Sequence, residues 1–420
     1  MQSSKGLSLI IQALYLCLFI SLACSFRAVT SITIIFLLIS GLLKNWLETK
    51  TFINQKLKTP FLYGCILLVA LHFIALFCTD NTQEGWADFQ VKIGLALTPL
   101  AVCCTNFVND LTRKKLSGYF IIIITAVSLY CLGMAVWNYT RSGDSSFFFY
   151  HLLVQPVKGH AIYFSVLVFI ALLFLTDIHA GTGFINRSFH VSLIVFLSIF
   201  LFLLSSKLVI GFYLLYLVVF LTGLIKNKSA NRFLIIGSLM LFIIASVIAL
   251  TTTNPVSKRF SDIRNSDLRV LSMEKFNPGM YFNGIQFRLL QWRFTTEILN
   301  ENNGWWIGVG PGNVQRLLDQ KYVSSNMYIG EPAREDHGFL GYNTHNQFLE
   351  TLLKTGVFGV VALLFICFTL LKMAWQKKKR GISFIIALLL VWLFTEAVLE
   401  RQYGILIFTF FPLFISLDEK

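Results

Sequence analysis

Apolar positions run along this chain in long blocks, and one polar stretch, 252–346, divides them. A helix that crosses a bilayer needs roughly 20 apolar residues. The blocks predict twelve such spans, at 8–25, 28–43, 60–78, 87–105, 117–137, 159–176, 188–204, 208–225, 231–251, 356–373, 382–398 and 402–417. The fourth is interrupted by Asp88, Lys92 and Pro99. The expected fold is an all-α polytopic membrane protein with about 12 transmembrane helices and one large loop between spans 9 and 10. Residues 1–251 would carry helices 1–9, 252–355 the loop with short amphipathic helices, and 356–420 helices 10–12, all in one integrated domain.

Within the loop the pattern changes. Phe287, Leu290, Phe294 and Ile298 recur at helical spacing through Gln286–Glu301, and Asn302-Asn303-Gly304 ends the run. Arg288 and Trp292 share a different face of that helix. Trp305-Trp306-Ile307-Gly308-Val309-Gly310-Pro311-Gly312 follows as a glycine-punctuated turn with two interfacial aromatics, then a second short helix over 313–322. Thr344-His345-Asn346-Gln347 reads as a capping box, with Thr344 as N-cap and Gln347 as its reciprocal partner. That puts His345 in the first turn of a helix running to Lys354, and the positive end of a helix attracts anions.

Composition settles the class. The chain is 56% hydrophobic and 13% charged, against about 25% charged residues in soluble domains. A net charge of +14 would suit a nucleic acid, but its placement says otherwise. The loop holds ten Lys/Arg against nine Asp/Glu, and the excess lies on alternate connections: Lys44, Lys50, Lys56 and Lys58; Arg113, Lys114 and Lys115; Lys226, Lys228 and Arg232; Lys372 and Lys377 to Arg380. The positive-inside rule makes those connections cytoplasmic, with both termini inside, the loop outside and no nucleic-acid partner. All eight cysteines fall in or beside apolar segments, so no disulfide framework or thiolate metal site is implied. Residues 8–25 resemble a signal-peptide core, but Ser21-Leu22-Ala23-Cys24 is a poor lipobox and a second span follows, so an uncleaved first helix is expected.

Four polar elements converge on the outer face under that topology: Lys207, Arg288, the 304–312 turn and His345. Lys207, in Leu204-Ser205-Ser206-Lys207, suits a snorkelling anchor as well as an anion-binding group, although a lysine on an outer turn runs against the positive-inside bias. Arg288 can pair with a loop carboxylate or, with Trp292, offer a guanidinium to a diphosphate and an indole to a sugar face. His345 can serve a capping turn or chemistry, and the helix mouth around it also carries Asn346. His160 and Tyr163 are candidate acceptor contacts, and Arg334-Glu335-Asp336-His337 reads as a solvated turn. No Asp-x-Asp, Walker loop, dinucleotide fingerprint or metal-ligand spacing occurs. A reaction without metal or cofactor, on a substrate presented outside, is favoured.

Arg288-Leu289-Leu290-Gln291-Trp292, Gly308-Val309-Gly310-Pro311-Gly312-Asn313, His345-Asn346-Gln347-Phe348-Leu349-Glu350 and Thr355-Gly356-Val357-Phe358-Gly359 resemble, in order and spacing, the O-antigen ligase and polymerase superfamily. The resemblance centres on residues 190–365. It implies a fold similar to the C-type polytopic glycosyltransferases, with the loop periplasmic and the protein in the bacterial inner membrane. It also implies transfer of a glycan from undecaprenyl diphosphate to a sugar of lipid A-core or another glycan acceptor, with inversion and without nucleotide sugar or metal. His345 would lie beside the attacking hydroxyl, and Arg288 would be one of two diphosphate-holding arginines. The other stands in a Ser-Arg pair in the family, where this chain has Ser206-Lys207, so lysine keeps the charge and loses the bidentate fork. Gly308, Gly310, Asn346, Trp292, His160 and Tyr163 complete the expected substrate contacts. The same motifs fit a polymerase or a protein-glycosylating relative. A transporter or flippase of similar span number is the alternative of another class, but its charged residues would gather near mid-bilayer in paired halves.

Overall fold

The computed structural model describes residues 2–50, 59–105, 110–178, 187–225, 268–331 and 336–416. The expected span 231–251, the loop's opening at 252–267, the basic groups Lys56, Lys58, Lys226, Lys228 and Arg232, and Arg334 and Glu335 of the expected solvated turn lie outside these residues. Among the described residues the chain is helical, with no strand.

The first ten helices are α1 (Gln2–Ala23), α2 (Arg27–Thr49), α3 (Pro60–Ala75), α4 (Thr82–Lys92), α5 (Gly94–Cys104), α6 (Asp110–Ser142), α7 (Tyr150–Val154), α8 (Ala161–Leu173), α9 (Arg187–Leu203) and α10 (Lys207–Ile225). In the loop lie α11 (Gly284–Glu301) and α12 (Val314–Ser324), followed by α13 (Gln347–Lys377), α14 (Arg380–Thr395) and α15 (Gln402–Ser416). Among the described residues six helical segments are long and apolar enough to cross a membrane, α4 and α5 counting together as Thr82–Cys104, or up to seven if the pair bent by 82° between Val157 and Ala161 counts as one span. α9, α10, α14 and α15 contribute shorter apolar stretches. Each expected span on described residues coincides with one of these apolar helices, and the protein is a helical membrane protein.

Ring contacts fix the direction of the helices around the site. Phe169 of α8 meets Tyr213 and Tyr216 of α10 at 6.3 Å, and Tyr216 meets Phe384 of α14 at 5.1 Å. Tyr163, near the start of α8, meets Trp392, near the end of α14, at 4.8 Å. α8 and α10 therefore run together and α14 runs against them. The starts of α8 and α10 and the end of α14 share one end of the bundle, which is also where the loop sits. Deeper in, α15 interdigitates with α1 and α6 through Phe19, Phe120, Phe410, Phe411 and Phe414, all buried.

The loop has its own apolar core. α11 forms as its pattern predicts: Phe287, Leu290, Phe294 and Ile298 are buried, and Asn283 and Gln286 close a reciprocal capping box at its start. Leu318 and Tyr322 of α12, Phe276, Met327 and Leu353 complete this second core. The loop is thus held by burial of large side chains rather than by a chain of surface polar contacts, each such side chain contributing about 1.5–3 kcal/mol.

A break in α13 locks the loop to the bundle. Gly356 sits at φ 67°, ψ −164°, a region open essentially to glycine alone. The break frees backbone groups that the glycine-rich turn then satisfies: Val357 N donates to Trp305 O at 2.9 Å, and Val309 N donates to Leu353 O at 2.7 Å. A Cβ on Gly356 would overlap the Trp306 carbonyl. Gly356→Ala is expected to cost at least about 1–3 kcal/mol from backbone strain, with the overlap adding to it. Thermal unfolding of the purified protein, with limited proteolysis of the loop, would measure this, and an unchanged melting temperature would refute the locking role.

Candidate active site

The helix mouth begins two residues later than expected. Asn346, not Thr344, is the N-cap of α13: its Oδ1 accepts from Phe348 N at 2.9 Å and Leu349 N at 3.2 Å. The expected Thr344–Gln347 box does not form because both side chains are engaged elsewhere. Thr344 Oγ1 lies 2.9 Å from Glu350 Oε2, and Gln347 Oε1 accepts from Leu399 N at 2.6 Å. His345 therefore stands outside the helix rather than in its first turn. It adopts φ 46°, and its backbone N–H donates to Asn343 Oδ1 at 3.0 Å. Asn346→Ala is expected to cost about 0.5–2 kcal/mol, the usual worth of an N-cap, and to loosen His345 with it. Hydrogen exchange at Phe348 and Leu349 would report the fraying.

His345, placed outside the helix, reaches Glu396. Its Nδ1 lies 2.8 Å from Glu396 Oε2, and Glu396 Oε1 accepts from Arg288 Nη2 at 2.9 Å. Glu396 follows the last residue of α14, with its backbone extended at φ −150°. Arg288 also donates through Nε to Thr395 O at 3.1 Å, satisfying a carbonyl that the end of α14 leaves open, and through Nη1 to Gly284 O at 3.0 Å. The polar face of α11 thus clamps the end of α14. Burial alone would raise the Glu396 carboxyl, but the hydrogen bonds from His345 and Arg288 outweigh it and hold the group below the ordinary glutamate value. An ionised Glu396 makes His345 Nδ1 the donor, so that in the neutral imidazole the lone pair is on Nε2. Around a quarter of the His345 side chain is exposed, and so is a third of that of Arg288.

The other expected residues divide in two. His160 precedes α8, its ring 5.2 Å from that of Tyr163, and lies within electrostatic reach of Glu396 and His345. Lys207 opens α10 half-buried at the same end of the bundle. Trp292 is half-buried on α11, with an indole N–H that has no protein acceptor. Gly308 and Gly310 are occupied by packing instead: each has positive φ, and a Cβ would strike Lys354 and Thr79 respectively. Asn346 is spent as the cap. Asp336, from the expected solvated turn, is exposed and bonds to Tyr328 Oη at 2.7 Å.

Beneath His345 lies a buried polar network, two of whose members, Asp88 and Lys92, the sequence marked only as interruptions of span four. Lys92 Nζ donates to Glu400 Oε1 at 2.5 Å and Leu399 O at 2.7 Å. Lys354 Nζ donates to Asp88 Oδ1 at 2.6 Å and to Glu400 Oε2, with Glu350 3.5 Å away. Gln347 Nε2 donates to Glu400 Oε1 at 3.0 Å. Glu396 and Glu400 are the residues sequence reasoning missed. The available signal was two carboxylates at the end of an apolar segment, where an ionisable side chain is costly and has a partner or a function. Among the described residues no group of three or more His, Cys, Asp or Glu side chains is arranged to hold a metal ion.

Residues 192–364 match the family model described as O-antigen ligase. No curated protein matches the chain. The matched stretch contains Lys207, Arg288, Trp292, the glycine-rich turn and His345, while Glu396 and Glu400 lie beyond its end. The chain thus carries, from α9 across the loop and into the helix that follows it, a stretch similar to the O-antigen ligase family.

Proposed function

We propose that this protein transfers a glycan from undecaprenyl diphosphate to a sugar hydroxyl of lipid A-core, at the periplasmic face of a bacterial inner membrane. In this reading the twelve spans, cytoplasmic termini and periplasmic loop follow the arrangement expected from the basic connections, with a fold similar to the C-type glycosyltransferases. The observation that carries it is the His345–Glu396–Arg288 chain at the mouth of α13, with Nε2 of His345 left to meet a hydroxyl.

The acceptor oxygen attacks the anomeric carbon as the bond from that carbon to the diphosphate oxygen breaks. The acceptor proton passes to His345 Nε2, and the electron pair of the broken bond leaves with the polyprenyl diphosphate. Glu396 stabilises the imidazolium that forms, so the site gains a positive charge next to a fixed carboxylate rather than in isolation. Arg288 holds Glu396 in place and keeps further N–H groups for an anion, and Lys207 adds positive charge at the same end of the bundle.

A deletion strain complemented with His345→Ala, at verified expression, tests this by silver-stained lipopolysaccharide beside an assay of lipid-linked glycan. The expected result is loss of polymer on lipid A-core with full-length lipid-linked chains retained. Wild-type ladders would remove His345 from the chemistry. Single capped repeats would make the protein a polymerase of the same superfamily.

A further inference from the structure

Among the described residues two aromatic rings lie against His345, that of Phe287 at 6.4 Å and that of Tyr342 at 5.9 Å between ring centres. Phe287 is buried in the loop core, whereas Tyr342 is 45% exposed. The segment that carries both Tyr342 and His345 is pinned to the loop helices through its backbone. Gly341 N donates to Asp319 Oδ1 at 2.9 Å. Tyr342 O accepts from the buried Tyr322 Oη at 2.9 Å and from Gln315 Nε2 at 3.4 Å, and Asn343 O accepts from the buried Gln291 Nε2. Asn343 Oδ1 in turn takes the backbone N–H of His345 at 3.0 Å. The strap 341–345 is therefore held without any use of the Tyr342 side chain. That ring stands 5.4 Å from the ring of Phe287 at an angle of 89°, and its hydroxyl has no hydrogen-bond partner among the described residues.

Two structural roles fit this ring poorly. A tyrosine that anchors a protein at the membrane interface stands among other exposed apolar side chains, as Trp306 does beside Ile307 and Phe358, all three more than half exposed. The partly exposed side chains bonded to the Tyr342 strap, Gln315 and Asp319, are polar instead. Nor is the ring needed to close the loop core, because Phe287 already packs on Phe339 at 4.8 Å and on Tyr322 at 6.1 Å.

We propose that Tyr342 is the platform for the acceptor sugar, its exposed ring stacking on the C–H face of the pyranose whose hydroxyl meets His345. This rests on the transfer reaction proposed above and deepens it by naming what orients the acceptor. A pyranose has a polar rim and apolar faces of C–H bonds, and the negative face of an aromatic ring attracts those hydrogens. Tyrosine offers that area with only two side-chain torsions to fix, and the strap has fixed its backbone in advance. The free phenol hydroxyl reaches a sugar hydroxyl in the same contact. His345 supplies the lone pair, and Tyr342 decides which sugar hydroxyl is presented to it. Charge plays no part in this contact, which leaves Arg288 and Lys207 to the diphosphate.

The test uses full-length protein in nanodiscs, with lipid A-core and lipid-linked glycan both extracted from the deletion strain, and follows initial rates as one substrate is varied at a time. Tyr342→Ala is expected to raise KM for lipid A-core about 10- to 100-fold, the usual cost of truncating an aromatic anchor. kcat and KM for the lipid-linked glycan should change little. Melting temperature should also hold, because the bonds to α11 and α12 run through backbone atoms that alanine keeps. Tyr342→Phe should recover all but about fivefold, the worth of one neutral hydrogen bond. Core oligosaccharide freed of lipid A should inhibit wild type and lose potency on Tyr342→Ala by the same factor as KM rises, which a lipid-anchoring role would not produce. Wild-type constants in Tyr342→Ala overturn the platform. A rise in KM for the lipid-linked glycan instead assigns the ring to the donor and overturns the acceptor assignment, and a joint fall of rate and melting temperature makes the ring a cover for Phe287. In each of these cases transfer by the wild type leaves the reaction itself standing. A wild type that transfers nothing between these two substrates sinks that reaction, and the platform with it.

Discussion

Glu396→Gln is expected to lower glycan transfer by about 10²- to 10⁴-fold, the range for losing a general base, although Glu396 touches neither substrate in the proposed reaction. The carboxylate accepts from His345 Nδ1 and from Arg288. A glutamine there can offer its amide N–H to Nδ1, which moves the imidazole proton to Nε2 and blocks the atom that must take the acceptor proton. The corresponding change in a Ser-His-Asp site leaves geometry intact and costs about 10⁴-fold through the wrong tautomer. A positioning role has a signature that a merely structural one lacks. kcat should fall with little change in KM, Glu396→Asp should recover part of the rate, and the acidic limb of the pH profile should change shape. Equal loss in kcat and in melting temperature across Glu396→Gln and Glu396→Asp would instead make the residue a strut between α11 and α14.

The elements that could be read along the chain are those set by short-range periodicity. The 3.6-residue recurrence of Phe287, Leu290, Phe294 and Ile298 gave α11 to within two residues at its start, because burial of that face is all its formation needs. Arg288 and His345 were identifiable as polar groups at a membrane helix mouth. Their common partner was not: Glu396 lies 108 residues from Arg288 and 51 from His345, inside a block that reads as membrane span. The capping register failed for a similar reason. Thr344 is a good N-cap by type, but its hydroxyl is claimed by Glu350, six residues on and buried, so Asn346 takes the role. Gly308 and Gly310 looked like a ligand-cradling turn, and what the structure gives them is contact with Lys354 and Thr79.

The largest stability loss is expected at Glu400. Lys92 and Lys354 are almost wholly buried, and Glu400 is the carboxylate both touch. Asp88 and Glu350 lie against Lys354, whereas Lys92 keeps only the Leu399 carbonyl if Glu400 is removed. Glu400→Ala should therefore destabilise the protein by about 3–5 kcal/mol, the cost of leaving one member of a buried ion pair uncompensated. Lys92→Met combined with Glu400→Met should be less harmful than Glu400→Ala, because the stranded charge goes with its partner. The pH dependence has a definite sign. Burial would raise the Glu400 carboxyl, but Lys354 and Lys92 outweigh it and hold the group well below the ordinary glutamate value. Such a group binds its proton more readily in the unfolded chain, so its stabilisation is fully present above the ordinary glutamate value and disappears as pH falls through the depressed folded value. Melting temperatures from neutral pH downward should show wild type losing more stability on acidification than Glu400→Ala, the two curves converging in acid. Parallel curves would mean the lysines are compensated without Glu400, and the network would then be packing around Asp88 and Glu350 rather than a charge balance centred on the α14–α15 connection.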